Sequence, residues 1–321
     1  MKAIVLKDFG SPEVLKIENR PQPQVGDKEV LIKVAAAGLN RADLAQRKGN
    51  YPAPKGSVQD ILGLEVSGII EKTGKKVTQW KIGDEVCALL PGGGYAEYVS
   101  VDEGSCLPIP KGFSLTDAAS IPEVLLTVWQ NIFQIGQLQS DENVLIYGGS
   151  GGIGSMAIQI ASHFGVQVFT LASSSEKEKY CLSLGAKKVV NYKEQDVVEE
   201  LGRNSVHLIL DSVGGPYLNK NLDLLKTEGR LVYINAMGGK SDLNIFKLMQ
   251  KRIHLTGSTL RSRSLEHKKQ LTAEAVEKAY PIIEKDDFIN MVSHRFAADD
   301  VVAAHQLMES REFMGKIILC F

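Results

Sequence analysis

Gly149, Gly151 and Gly154 follow the apolar run Val144–Tyr147 and open a helical pattern that runs from Ser155 to Phe164. They fit G-x-G-x-x-G, the spacing that lets a strand turn tightly into a helix and lets backbone approach a pyrophosphate. Phosphate would sit at the helix N-terminus, where unpaired amides and the helix dipole favour an anion. The chemistry implied is dinucleotide binding. The alternative is a tight strand-to-helix turn with no ligand.

The end of the next strand bears on which dinucleotide. Folds selective for NAD usually place Asp or Glu there, about twenty residues past the glycines, on the ribose 2′-OH. Here that end reads Thr170-Leu171-Ala172-Ser173-Ser174-Ser175-Glu176-Lys177, and no acid closes the strand. A 2′-phosphate would be attracted by Lys177 and repelled by an acid. Tyr192, just past the third strand, could reach the same phosphate. NADP(H) is therefore favoured, against a reading in which the serines only cap a helix and Lys177 is a solvated lysine.

Metal and thiol chemistry have no local support. Cys87, Cys106, Cys181 and Cys320 never stand at C-x-x-C spacing, and the six histidines form neither H-x-x-x-H nor H-E-x-x-H. A net charge of −1 gives no electrostatic case for nucleic acid or an acidic membrane surface. No apolar run approaches a membrane span. Met1–Lys7 is broken by charge too early for a signal peptide and reads as a first strand, so a cytoplasmic location is expected.

The elements that must position these residues fall into two groups. Residues 1–123 are β-rich, with strand-like runs at Lys2–Lys7, Glu29–Ala37, Glu65–Lys72, Glu85–Leu90 and Ala96–Ser100. A helical pattern, Val124–Ile135, leads into alternating strands and helices. Six strands are expected at Asn143–Tyr147, Val166–Leu171, Lys187–Asn191, Val206–Asp211, Gly229–Asn235 and Ile253–Leu260. That alternation predicts an α/β fold with a doubly wound parallel sheet over 124–260. The tail, a helix from Leu265 to Ile283, strand-like Arg295-Phe296, a helix Asp299–Met308 and a strand Lys316–Cys320, has no place in that sheet. It is assigned back to the first domain, giving 1–123 with 261–321 around an inserted 124–260. Ile253–Leu260 would be an open sheet edge, which suggests a two-fold homodimer through that strand.

Beyond the glycine loop, Leu39-Asn40-Arg41-Ala42-Asp43-Leu44, Gln46-Arg47 with Gly49 and Tyr51, Leu62-Gly63-Leu64-Glu65, Leu89-Leu90-Pro91-Gly92-Gly93-Gly94, Asn191-Tyr192-Lys193 and Leu260-Arg261-Ser262-Arg263 stand along nearly the whole chain. In these motifs the chain resembles the zinc-free NADPH:quinone oxidoreductases of the medium-chain dehydrogenase/reductase superfamily, with most likeness to the tumour-suppressor-inducible branch. The resemblance implies a GroES-like β-rich catalytic domain beside a Rossmann domain. It implies reduction by NADPH of a quinone, or another conjugated carbonyl, in the cleft between the domains. It also implies the homodimer. Zinc members of the superfamily carry Cys where this chain has Asn40 and His where it has Leu64, so zinc-free chemistry is expected. Carried over residue by residue, Asn40 would lie near the nicotinamide and Tyr51 beside the substrate, as a hydrogen-bond donor to its oxygen. Thr127 would lie near the cofactor phosphates, with Gly151, Gly152 and Gly154 on the pyrophosphate. Ser174, Lys177 and Tyr192 would hold the 2′-phosphate, and Asn235 would stand beside the cofactor. Asp43 and Glu65 are expected either as a buried acid pair or in contact with Arg47 or Arg263. Arg261 and Arg263 are left between binding cofactor phosphate and bridging the domains. Two other functions stay open: an enone or alkenal reductase, and a non-catalytic NADPH-binding protein.

Overall fold

The computed structural model describes residues 1–321 and divides them into two units, Met1–Leu126 with Arg261–Phe321, and Thr127–Leu260. In chain order the elements begin with β1 (Lys2–Leu6), β2 (Leu15–Asn19), β3 (Glu29–Gly38), α1 (Arg41–Arg47), β4 (Glu65–Thr73), β5 (Glu85–Leu89), β6 (Tyr98–Asp102), β7 (Cys106–Pro108) and α2 (Pro122–Val128). The second unit carries β8 (Asn143–Ile146), α3 (Gly152–His163), β9 (Gln167–Ala172), α4 (Ser175–Ser183), β10 (Lys188–Asn191) and α5 (Val197–Leu201). It continues with β11 (Val206–Asp211), α6 (Leu218–Leu224), β12 (Leu225–Tyr233), α7 (Ile245–Lys251) and β13 (His254–Gly257). The chain closes with α8 (Leu265–Ile283), β14 (Val292–Ala297), α9 (Val301–Ser310) and β15 (Lys316–Cys320).

The first unit is a largely antiparallel sheet of order β14-β15-β3-β4-β5-β7, with β6 also paired to β3. Along β6, Val99 and Val101 turn inward while Tyr98, Ser100 and Asp102 are only half-buried, the period of two that one buried sheet face demands. Val5, Ile32, Val66, Ile70, Val86 and Val99 join Ala304 and Met308 of α9 in one core. Burying each such aliphatic side chain stabilises the unit by roughly 1.5–3 kcal/mol.

Register brings distant charges together here. β15 runs antiparallel to β3 with Ile318 opposite Gly38, which carries Lys316 back level with Asn40. β4 pairs the other side of β3 with Val66 opposite Ala37, which sets Glu65 beside Gly38. A Cβ at position 38 would overlap the Glu65 carboxylate, so only glycine leaves it room.

The second unit is the expected doubly wound sheet, six parallel strands in the order β10-β9-β8-β11-β12-β13. Leu145, Val190, Ile209 and Leu231 of the strands bury against Leu218 and Leu222 of α6. The chain winds outward from β8 in one direction and from β11 in the other. The switch point therefore lies between these two strands, where such sheets bind ligands at their carboxyl ends.

Several boundaries differ from the sequence expectation. The fifth strand of this sheet starts at Leu225, not Gly229, because α6 stops at Leu224 and the chain extends at once. The edge strand is only His254–Gly257, and all four residues are exposed. The helix expected over Val124–Ile135 begins at Pro122, whose missing amide costs nothing at a helix start, and continues as a π-helix over Trp129–Ile135. The short elements α1, β2 and β7 escape a reading by periodicity, which needs longer windows. No helix is long and apolar enough to cross a membrane.

Candidate functional site

The glycine loop stands at the carboxyl end of β8. Gly151 is the extended N-cap of α3, and its amide donates to the Gly148 carbonyl at 3.0 Å. A Cβ at Gly154 would overlap the Gly148 carbonyl, so α3 can start this close to the strand only with glycine there. Gly152 is the first helical residue. The first amides of α3 have no partner within the helix, the arrangement that favours an anion at a helix N-terminus.

The next strand ends at Ala172, with no carboxylate closing it. Ser174 caps α4, its hydroxyl accepting from the Lys177 amide at 3.4 Å. The Tyr192 amide donates to the Ala172 carbonyl at 3.1 Å, which fixes Tyr192 beside the same turn, with its ring exposed. Ser174 and Lys177 thus open the helix that follows β9, and Tyr192 directly follows the adjacent strand β10. Asn235 stands exposed just past β12, its side-chain oxygen accepting from the Ala236 amide at 2.7 Å. Thr127 is buried in α2, and its carbonyl accepts from the Asn131 side chain at 2.8 Å.

A buried charge cluster in the first unit is the other candidate centre. Asn40 is the N-cap of α1, 6% exposed, and Glu65 and Lys316 are at 0% and 2%. The Lys316 ammonium donates to the Asn40 side-chain oxygen at 2.9 Å, to the Leu39 carbonyl at 3.0 Å and to Glu65 Oε1. The Asn40 side-chain nitrogen donates to the same Glu65 oxygen at 2.9 Å, and Glu65 Oε2 accepts from the Glu123 amide at 2.8 Å. Asp43 accepts from the Asn40 amide at 2.8 Å, the Gly63 amide at 3.1 Å and the Tyr95 hydroxyl at 3.2 Å. Burial nonetheless raises its carboxyl to about 6, against these donors.

Asp43 and Glu65 therefore neither pair with each other nor reach Arg47 or Arg263. Arg47 is held instead by the Gly10 carbonyl at 3.1 Å, by His305 Nδ1 at 3.2 Å and by Glu309, while Arg263 is exposed. Burial, with Arg47 adding to it, lowers the His305 imidazole to about 3. Arg261 is held by residues of the first unit. Its guanidinium donates to the Pro91 carbonyl and to Gln46 Oε1, each at 2.8 Å, and lies 5.4 Å over the Tyr51 ring. That contact seats Tyr51 on a buried cation. Burial raises the Tyr51 phenol, so it stays a protonated donor at neutral pH.

Lys316 is the residue the sequence reading missed. Its signal was a lone charge opening the apolar strand Lys316–Cys320, in a position that strand register makes buried. Three of the four thiols, Cys87, Cys106 and Cys181, are buried, and burial raises each of them, Cys181 to about 12; Cys320 is half-buried.

The family models that match are the alcohol dehydrogenase GroES-like domain, over residues 26–111, and the zinc-binding dehydrogenase, over residues 152–277. The residues present do not fit zinc. Leucine at 64 has no donor atom, the Asn40 oxygen and Glu65 Oε1 are taken by an ammonium, and no His, Cys, Asp and Glu cluster could hold a metal. The chain is 31% identical to a quinone oxidoreductase of Rattus norvegicus over 99% of this chain and 97% of that protein. It is also 31% identical to a quinone oxidoreductase of Pseudomonas aeruginosa over 99% of each. Among solved structures, the Escherichia coli quinone oxidoreductase complexed with NADPH matches over the whole of both chains with a TM-score of 0.90 and 27% identity.

Proposed function

The chain belongs to the quinone-oxidoreductase-like family of the medium-chain dehydrogenase/reductase superfamily, and from that membership we propose that it is a zinc-independent reductase of quinones that uses NADPH. One observation carries the reading: a loop shaped for pyrophosphate occurs in a chain whose former metal position is closed by Lys316. A hydride acceptor must then manage without a Lewis acid, and a quinone does so because conjugation spreads the developing negative charge.

The Gly151, Gly152 and Gly154 segment would hold the pyrophosphate, with Thr127 near the phosphates and Asn235 beside the cofactor. Ser174, Lys177 and Tyr192 would hold the 2′-phosphate. Bound NADPH would supply the hydride that, with one proton from solvent, converts quinone to hydroquinone. Asn40 donates a hydrogen bond near the nicotinamide end. Tyr51, neutral and seated on Arg261, donates to the acceptor oxygen. The Leu89–Gly94 and Leu260–Arg263 motifs support the tumour-suppressor-inducible branch.

Chelator treatment tests zinc independence. NADPH oxidation with a quinone should keep its full rate after exhaustive dialysis against chelator, whereas loss of rate that added zinc restores would contradict the reading. The homodimer is proposed through β13. Its outer side is unpaired, its residues are exposed, and α7 before it exposes Ile245, Phe246 and Met249. Light scattering at micromolar concentration should give twice the chain mass; a monomer mass would rule this out.

A further inference from the structure

Lysine can only donate hydrogen bonds and an ionised carboxylate can only accept them. The Asn40 amide lies between one of each. Its oxygen faces the Lys316 ammonium at 2.9 Å and its nitrogen faces Glu65 at 2.9 Å. Either reversal of the amide would set oxygen against carboxylate and NH2 against ammonium, so one orientation is enforced. In that orientation one N–H goes to Glu65, and the second has only the Gly38 carbonyl at 3.5 Å, a marginal contact.

We propose that Lys316 and Glu65 are positioning residues that lock the Asn40 amide, so that Asn40 presents an N–H donor, never its oxygen, to a carbonyl oxygen of the bound reactants. This deepens the quinone-reductase reading and rests on it. The ligand chemistry it selects is a hydrogen-bond acceptor. A hydroxyl or amine donor at the same place would meet the wrong end of the amide. The three residues come from different elements, α1, β4 and β15, so the orientation is set by sheet register and holds before any ligand arrives.

Removing one partner alone would bury an unpaired charge and threaten folding. The test therefore uses the charge-neutral pair Glu65→Gln with Lys316→Met. Glutamine can donate or accept, so it satisfies Asn40 either way round and the lock is lost. With NADPH and 1,2-naphthoquinone, Asn40→Ala should lower kcat by about a hundredfold, the cost of one preorganised donor. The double substitution should lower it about tenfold by loosening that donor. Added to Asn40→Ala, the double substitution should change kcat by less than about twofold, because coupled residues are non-additive. Lys316→Arg, still a donor, should retain most of the rate. Additive effects would overturn the positioning role while leaving the quinone reading intact. If the wild type does not turn over quinone, that reading falls, and the side-chain amide resonances of Asn40 still decide the lock. One sharp pair in wild type that broadens or doubles in the double variant supports it. One sharp pair in both overturns it.

Discussion

The glycine loop and the Asn40 cluster solve the problem of positioning in opposite ways. The loop works by leaving side chains out: Gly154 lets backbone meet backbone, and the donors are main-chain amides that belong to the fold itself. The cluster works by burying side chains whose charges have no freedom to face elsewhere. A backbone site tolerates many neighbours and fails when volume is added. A side-chain site fails when one partner is removed.

The first prediction presses the backbone side of that contrast. Gly154→Ala should abolish NADPH binding and destabilise the protein, because the methyl overlaps a carbonyl that cannot retreat. At Gly151 a Cβ meets nothing nearer than the Gly148 carbonyl at 3.5 Å. Gly151→Ala should therefore melt within about 3 °C of wild type, as a change of under 1 kcal/mol would. Its NADPH affinity, measured by calorimetry, should still fall, since the methyl would stand where the pyrophosphate is proposed to bind.

Charge removal presses the other side. Lys316→Met should cost about 3–5 kcal/mol in denaturant unfolding, since it strands a buried carboxylate. The pair with Glu65→Gln should recover most of that loss, and no such recovery by a second substitution is expected for Gly154→Ala.

Proton linkage sharpens the comparison further, because the titrating groups lie on the cluster side. His305, down at about 3, stays neutral in the folded state while an unfolded histidine takes a proton below about 6.5. Its contribution to stability is thus fully present above that pH and is lost as pH falls toward 3. Asp43, up at about 6, has the opposite sign: the folded state holds the proton longer, so stability falls as pH rises from about 4 to 6. The stability gap between wild type and His305→Gln should shrink by roughly 1.4 kcal/mol per pH unit below about 6. A gap that does not change with pH would mean that His305 is not held neutral.

A smaller effect than the loss of a buried charge is expected where the cofactor's 2′ end is proposed to lie. Lys177→Ala should weaken NADPH relative to NADH about tenfold, worth about 1.4 kcal/mol at an exposed phosphate contact. The same variant should leave kcat at saturating NADPH unchanged.

The contrast also explains what was legible in the sequence. The loop is local: strand, glycines and helix follow one another within 143–163, so spacing alone revealed them, and the alternation that follows gave the parallel sheet. The cluster is not local. Lys316 is 276 residues from Asn40, and nothing near either residue announces the other until β15 takes its register on β3. Arg261 was visible as a motif but not as the seat of Tyr51, for the same reason. The edge strand is shorter than the expected Ile253–Leu260 because β12 offers it partners only from Arg230 to Tyr233, opposite His254–Gly257.

The most direct test of the account is loss of NADPH absorbance with 1,2-naphthoquinone, run beside NADH and a simple enone. Rapid oxidation with NADPH and the quinone, slower with NADH and slower still with the enone, is the predicted result. Tight NADPH binding with no oxidation by any acceptor would contradict it and mark a non-catalytic binder, and turnover of the enone alone would mark a C=C reductase.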